Sequence, residues 1–471
     1  MVRDGEGNRV PAARRLWELQ SEPAHEAWRG VVKSVVPTDT QFDVLIPELN
    51  RMLARRDFHE AAAFSQVRLP QEGRSLLARG VSQLTAEEVF RLNRIVMQSS
   101  VECMADFRMD LVMRPGELWE KWLATGDRRL MATATRAVRA ACRLTILSHE
   151  IHLWEGMAAG SLALAYDAFH PHLSPADRKA WRDLLVRFLH LYLETARRRS
   201  WTVTTIANAN PVGNGGCGLA ALALWREEPE LAREALGFAR SYIRNWLDYC
   251  SGPDGGNTEG VQYWQYGMEN FLRFAVALER AMGTGDGFLT HPAVTKCMDM
   301  VRVSLCNDGA LHGVNDTVPM PIGSGIAWFM AGRFGDELGL WYGDHALRYY
   351  TARRAAGKLT AYDARVNEML IYRPARPAPK RQPPLPVAFK LDDIQYGIIR
   401  SGPNFDCRWT AGLKGSRPPY THHNQPDTGS YFIDLRGERM LIDPGYYKDK
   451  PTDHCLPLIG GEGPDQPRGW T

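Results

Sequence analysis

The sequence predicts a multidomain α + β chain in which a long helical array precedes an antiparallel β-domain. From about residue 42 to residue 354, apolar residues recur at three- and four-residue spacing, which is typical of amphipathic helices. A proline-dense, basic stretch follows at 373–386, and after it the apolar period becomes two. We therefore expect an N-terminal segment at 1–40, a helical domain at 41–370, a linker at 371–390 and a β-domain at 391–471.

The helical array shows starts and stops where helix physics favours them. The helical period is clear at 134–148, 176–197, 219–225 and 271–282. Ser174 offers an N-cap before Pro175, and Gly283 offers a C-terminal stop. About ten helices joined by short polar loops indicate stacked helical hairpins. The period alone leaves open whether the hairpins close into a toroid or continue as a solenoid.

The last part of the chain is strand-like. Period-two segments lie at 396–400, 407–413, 430–435 and 439–443, and a tight turn at 436–438 joins the last two. The preceding linker is too rich in proline for a helix. About 85 residues follow it, and a sandwich of that size would leave strand edges unpaired. We therefore expect a partial, truncated β-domain.

Composition narrows the class of protein. With 44% hydrophobic and 24% charged residues, the composition is typical of a globular chain. The formal net charge of +3 is too small to imply a nucleic-acid partner. No apolar run reaches the ~20 residues of a membrane span. The eight cysteines form no CxxC pair, which favours buried thiols. The N-terminus lacks an apolar signal core, so we expect a cytoplasmic location, or a periplasmic or secreted one if an export signal is missing.

Four stretches place polar side chains where packing does not require them. In the first, Asn208, Asn210 and Asn214 alternate with glycines immediately before a helical run. Amides and backbone N–H groups at a helix start can bind an anion, although a capped glycine-rich turn has the same sequence. In the second, Tyr263 and Tyr266 lie close to acidic and amide side chains, which is typical either of a sugar-binding cleft or of an aromatic helix start in the core.

The other two stretches contain histidine. His422 and His423 precede Asp443 and His454, an order that would suit a His/Asp/His metal site but that surface histidines also produce. His312 lies in a polar loop with Asn315 and Asp316, where it could bind a ligand or only form hydrogen bonds within the loop.

Taken together, these stretches resemble the heparinase II/III-like superfamily of polysaccharide lyases, of the oligoalginate lyase and heparan lyase type. The likeness lies in the helix pair at 154–178, the asparagine loop at 210–216, the tyrosine segment at 259–267, and the β-domain signature at 423–431 with 441–445. The resemblance implies an incomplete (α/α) toroid followed by an antiparallel β-sandwich-type domain, with the active site between them. The sequence departs from the family in having its two β-domain histidines adjacent instead of separated by one residue.

The resemblance also implies an activity, the β-elimination of a uronic-acid-containing acidic polysaccharide that leaves an unsaturated C4–C5 uronate end. Such chemistry needs a donor that neutralises the uronate carboxylate, a base for the C5 proton and an acid for the C4 oxygen. By position, the family pattern gives Asn210 as the neutralising donor, Tyr266 as the acid and His422 as the base. It leaves the polymer open among alginate, heparan, hyaluronan and others.

The remaining expectations concern binding and cofactors. The substrate-binding residues expected from these motifs are Asn214, Glu259, Tyr263, Trp264 and His312. The resemblance implies a structural zinc on His423, Asp443 and His454, and no organic cofactor or membrane partner is expected. Two other classes stay open: a toroid-fold glycoside hydrolase or epimerase, whose opposed carboxylates would come from Asp254, Glu259 and Asp316, and a non-catalytic carbohydrate-binding protein.

Overall fold

The computed structural model describes residues 2–3, 9–10, 39–54, 75–76, 79, 83, 85, 87–88, 108, 111–307, 309–356, 374, 376–405, 407–416, 423–443, 445–446 and 450–463. The chain divides into two compact units. Unit 1 comprises Met1–Val31, Thr205–Pro211 and Ile243–Thr471, and unit 2 comprises Val32–Thr204 and Val212–Tyr242. Among the described residues, no helix combines the length and the apolar character needed to cross a membrane.

Unit 2 is helical in its described part. Its helices are α1 (Asp39–Leu53), α2 (Arg114–Thr125), α3 (Arg128–Ala141), α4 (Leu153–Phe169), α5 (Pro175–Arg197), α6 (Trp201–Thr204) and most of α7 (Ala209–Ala223) and α8 (Pro229–Tyr249). The predicted cap of α5 is confirmed, because the Ser174 hydroxyl accepts from the Asp177 N–H. Helix α3 ends earlier than predicted, since the chain turns after Ala141 with a bond from the Leu144 N–H to the Ala141 carbonyl.

The glycine-rich stretch before residue 219 lies inside helix α7, although the sequence suggested a turn at a helix start. Most of its N–H groups are therefore within the helix and do not form an open anion-binding loop. The glycines serve packing instead. A Cβ on Gly216 would clash with the Gly156 carbonyl, and one on Gly156 would meet the backbone of Val212 and Gly213. The backbones of α4 and α7 thus approach too closely for any larger residue.

Unit 1 contains the helices α9 (Val261–Met282), α10 (Pro292–Thr295), α11 (Met298–Ser304), α12 (Ser324–Phe334) and α13 (Glu337–Ala355). It also contains the 3-10 turns Phe288–Thr290 and Pro451–Asp453, and unit 2 contains the 3-10 turn His170–His172. Helix α9 matters most for the site. It begins after Gly260, whose φ of 84° suits glycine, and it ends at Gly283 as predicted. Its buried face includes Trp264, Met268 and Phe271, which fixes the direction of the first turn.

Two short strands, β1 (Val2–Arg3) and β2 (Arg9–Val10), pair with each other, and a separate five-stranded antiparallel sheet has the order β3-β4-β5-β6-β7. Its strands are β3 (Ala388–Leu391), β4 (Tyr396–Arg400), β5 (Trp409–Lys414), β6 (Tyr431–Leu435) and β7 (Glu438–Leu441). The four predicted strands are confirmed with shifts of up to two residues. Strand β3 was missed because it directly follows the proline-dense run and overlaps the predicted linker. The turn between β6 and β7 has positive φ at Arg436 and Gly437.

Candidate active site

Unit 1 brings three aromatic side chains from separate segments together, and we call them the Tyr–His cluster: Tyr263, His423 and Tyr446. Tyr263 lies in the first turn of α9, and its ring stacks on the His423 imidazole with centroids 3.2 Å apart and planes at 4°. The hydroxyl groups of Tyr263 and Tyr446 contact each other. All three side chains are half-buried. The cluster therefore offers an imidazole and two phenols, which can exchange protons with a bound molecule.

A carboxylate holds the His423 imidazole in place. His423 Nδ1 lies 2.9 Å from Asp316 Oδ2, and the Asp316 N–H donates to the His423 carbonyl over 3.3 Å. The Gln425 amide donates to the other Asp316 oxygen over 2.5 Å and to the Gly445 carbonyl over 3.0 Å. Because a carboxylate accepts the Nδ1 proton, the lone pair of a neutral His423 lies on Nε2. The orientation suits a general base.

A second polar pair lies within electrostatic range of the cluster. Asn208 Nδ2 donates to Glu259 Oε1 over 2.8 Å, and both side chains are buried. Burial raises the pKa of Glu259, while His423 and the Asn208 amide act in the opposite direction by favouring the charged form. The Glu259 N–H donates to the Asn257 side chain over 3.0 Å, so the turn before α9 fixes the position of this carboxyl group.

A cleft adjoins the turn that precedes α9. The space between its walls is ≈ 340 Å³ when the part open to solvent is included. Its polar lining consists mainly of three amides, two hydroxyl groups and a buried lysine, contributed by Asn257, Thr258, Asn315, Lys414, Ser416 and Asn424. Asn315, which follows the His312 loop, links the cleft to this turn because its amide donates to the Thr258 carbonyl over 3.3 Å.

The structure places the other predicted site residues as follows. Asn210 is fully buried, and its amide donates to the Thr205 carbonyl over 2.8 Å. Tyr266 is half-buried on α9, about one turn after Tyr263. Trp264 and His312 are buried, which favours packing roles because stacking on a sugar needs an exposed ring face. His422, the predicted base, lies outside the described residues.

Asn214, predicted to bind substrate, lies in the part of α7 that belongs to unit 2. It is fully buried, its oxygen accepts from the Tyr192 hydroxyl over 2.6 Å, and its amide donates to the Val203 carbonyl over 2.8 Å. Asn214→Ala is expected to lower the free energy of unfolding by about 1–3 kcal/mol, because two buried groups lose a partner. Turnover of the folded protein should be unchanged. Denaturant unfolding and activity assays measure both, and a loss of turnover at unchanged stability would restore a substrate role.

Two groups of buried side chains could hold a metal ion. One contains Asp427, Asp443 and His454, and the other contains Cys306, His312 and Asp434; within each group the ligand atoms lie within 4.8 Å of one another. The first includes two of the three predicted zinc ligands, with His454 Nδ1 lying 2.9 Å from Asp443 Oδ2. One imidazole and two carboxylates suit zinc in kind, although the Lys414 ammonium already pairs with Asp427.

The segments singled out in the sequence contain or adjoin the side chains that meet in the structure, but several of these side chains had been given another role or none. Asn208 lay in the asparagine stretch without a role of its own, and Tyr446 directly follows the motif at 441–445. Asp316 had been considered only as a carboxylate of a hydrolase, and His423 was assigned to the metal. The signal that could have singled out His423 is the presence of Gln425 two residues later. Both side chains reach the same carboxylate, that of Asp316.

No protein-family model and no curated protein sequence matches the chain. Several solved structures do match. Heparinase III is 12% identical with a TM-score of 0.46, over 72% of this chain and 50% of that one. The heparan sulfate lyase HepC from Pedobacter heparinus is 16% identical with a TM-score of 0.43, over 92% and 65%.

A further heparinase III structure, with methylated lysines, is 11% identical with a TM-score of 0.46, over 98% of this chain and 65% of that one. The chain thus spans about half to two thirds of the length of the solved proteins it matches. At these identities the comparison concerns the fold alone. The matched structures are those of heparinase III and of the heparan sulfate lyase HepC.

Proposed function

We propose that the chain is a polysaccharide lyase that cleaves a uronic-acid-containing acidic polysaccharide by β-elimination. The observation that carries the proposal is the Tyr–His cluster, in which an imidazole oriented by Asp316 lies against Tyr263, whose hydroxyl contacts Tyr446. A base and a phenolic acid at one place are what removal of the C5 proton and departure of the C4 oxygen require.

In the proposed reaction, His423 Nε2 accepts the C5 proton. The electron pair of the broken C5–H bond forms the C4–C5 double bond, and the C4–O bond breaks. Tyr263 donates a proton to the leaving oxygen, with Tyr446 as its hydrogen-bond partner. His423 then gives its proton to water, and the Tyr263 phenolate takes a proton from water. The reaction therefore consumes no oxidant, reductant or nucleophile.

The donor that neutralises the uronate carboxylate is proposed to come from the asparagine segment at the start of α7. The family resemblance selects Asn210, while the contacts favour Asn208, because Asn208 is bonded to Glu259 beside the cluster. The raised pKa of Glu259, caused by burial, favours its neutral acid form. In that form the pair would face a substrate carboxylate without charge repulsion. Tyr266 and His422 stay alternative choices for the acid and the base.

The contacts weigh against a glycoside hydrolase. The three carboxylates available for that chemistry are held by internal hydrogen bonds: Glu259 by Asn208, Asp316 by His423 and Gln425, and Asp254 by the N–H groups of Gly256 and Asp393, over 3.0 and 2.9 Å. Hydrolysis needs one carboxylic acid and one carboxylate facing the scissile bond across the cleft. The base and the acid of the lyase proposal both come from the half-buried cluster.

The finer features of the family are also part of the proposal. The helices would form an incomplete (α/α) toroid, and the five-stranded sheet would belong to a sandwich-type β-domain. A structural zinc, if present in the predicted group, would be held by Asp443 and His454 and would brace the β-domain without taking part in proton transfer. The domain boundaries at 40, 370 and 390 and the cytoplasmic location are proposed on the sequence alone.

Incubation with uronate polymers tests the function directly. At least one of the three polymers heparan, alginate and hyaluronan is expected to be cleaved. Cleavage yields ultraviolet absorbance from the new C4–C5 double bond. Matched samples whose carboxyl groups have been reduced to alcohols serve as controls, since elimination needs the acidified C5 proton. New reducing ends without absorbance would identify a hydrolase and overturn the proposal.

A further inference from the structure

A short antiparallel turn in unit 1 places a cysteine and a histidine on one face. Leu305 and Leu311 form a β-bridge, the Cys306 N–H donates to the Ala310 carbonyl over 2.9 Å, and the His312 N–H donates to the Ser304 carbonyl over 2.8 Å. In such a pairing, side chains of alternate residues share a face. Cys306 and His312 therefore project from the face opposite to that of the two leucines.

The inner face of β6 supplies a third ligand. The buried positions of β6 alternate, so that Phe432 and Asp434 point the same way. The His312 ring stacks on Phe432 with centroids 3.2 Å apart, and its Nε2 lies 3.9 Å from Asp434 Oδ2. Cys306, His312 and Asp434 are each at least nine-tenths buried, and their ligand atoms lie within 4.8 Å of one another.

His312 has a buried ring nitrogen that is available to a ligand. Within the described part of the chain, its buried Nε2 atom has no hydrogen-bond partner, an arrangement that costs free energy in a folded protein. An imidazole nitrogen with its lone pair free is a metal ligand.

We propose that Cys306, His312 and Asp434 form a zinc-binding site that joins the 304–312 turn to the five-stranded sheet. One thiolate, one imidazole and one carboxylate are the side chains that zinc prefers, and water can complete the tetrahedron. At Zn–ligand distances of ~2.0–2.3 Å the ligand atoms lie about 3.3–3.6 Å apart, so a small inward movement of the three side chains closes the site. This site contains none of the residues assigned to zinc by the family resemblance.

The charged groups around Cys306, His312 and Asp434 favour zinc over other metal ions. Arg400 donates to the Leu305 carbonyl over 3.2 Å and to the Arg302 carbonyl over 2.7 Å, so it holds the turn on the sheet while adding positive charge. A hard ion bound through oxygen, such as Mg²⁺ or Ca²⁺, would gain only one carboxylate here. Zinc gains a thiolate as well, and the two negative ligands offset its charge.

The test uses the purified full chain, freed of metal with a chelator and then titrated with zinc or with cobalt. We expect binding of zinc with a rise in melting temperature, and cobalt loading should give the thiolate-to-metal charge-transfer absorption that only a cysteine ligand produces. Cys306→Ser and His312→Ala should each weaken zinc binding by at least tenfold. Circular dichroism establishes that each variant is folded, and Cys306→Ser, which keeps the side-chain size, is decisive if His312→Ala does not fold.

Two control variants separate this site from the remaining thiols and from the second group of buried ligands. Cys297→Ser removes a buried thiol outside both groups and should leave the cobalt absorption intact. Asp443→Asn alters the second group and should leave the thiolate band intact as well. The proposal is overturned if cobalt gives no thiolate band, if the band survives in Cys306→Ser, or if Asp443→Asn alone abolishes metal binding.

Discussion

Tyr263→Phe is expected to reduce elimination by about 10²–10⁴-fold, the usual contribution of a positioned acid or base. The substitution removes one oxygen, the one that contacts the Tyr446 hydroxyl, and leaves the ring free to stack on His423. The fold should therefore survive, and binding of the polymer should change little. Initial rates of ultraviolet absorbance, together with a binding measurement on the inactive variant, provide the two readouts.

Tyr266→Phe is the matched control, because it makes the same change on the same helix, about one turn away. The family resemblance selects Tyr266 as the acid, while the contacts select Tyr263, so the two substitutions discriminate between the assignments. We expect Tyr266→Phe to keep more than about a tenth of the activity. If Tyr266→Phe is the more damaging change, the acid is Tyr266 and the Tyr–His cluster has another role.

Much of the fold could be predicted because its signals are local. The Ser174 cap, the stop at Gly283 and the change of period after the linker each depend on neighbouring residues, and all are confirmed. Strand β3 was missed because proline density dominates the composition of its surroundings. Residues 213–218 were misjudged as a turn, since close packing against Gly156 is a tertiary property that overrides the low helix propensity of glycine.

The site could be predicted only to the level of segments. Residues 208–214, 259–267, 423–431 and 441–445 were all singled out, yet the contacts that bring the proposed side chains together join residues far apart in the chain. Asp316 meets His423 across 107 positions, and Tyr263 meets Tyr446 across 183. Neither of these contacts can be inferred from the spacing of motifs along the sequence. The resemblance therefore indicated candidate segments, while the hydrogen bonds favour neighbours of the residues that it implied.

His423→Ala is expected to reduce turnover by about 10²–10⁴-fold, because the imidazole is the proposed base and its loss removes the nitrogen that accepts the C5 proton. The truncation opens space beside the Tyr263 ring. Added imidazole should enter that space and restore part of the activity in a concentration-dependent way. Rescue of this kind separates a lost base from a damaged fold, since a small molecule cannot repair misfolded protein.

His291→Ala provides the matched control. His291 is also paired with a carboxylate, its Nε2 lying 3.2 Å from Asp248 Oδ1, and its side chain is 17% exposed against 18% for His423. It lies outside the cluster and accepts from the Ala293 N–H at the start of α10, so its loss should cost stability, about 0.5–2 kcal/mol, and not turnover. Equal losses of turnover in the two variants, or no response of His423→Ala to imidazole, would contradict a base at His423. In that case His422, one residue earlier, becomes the candidate that the family resemblance already implies.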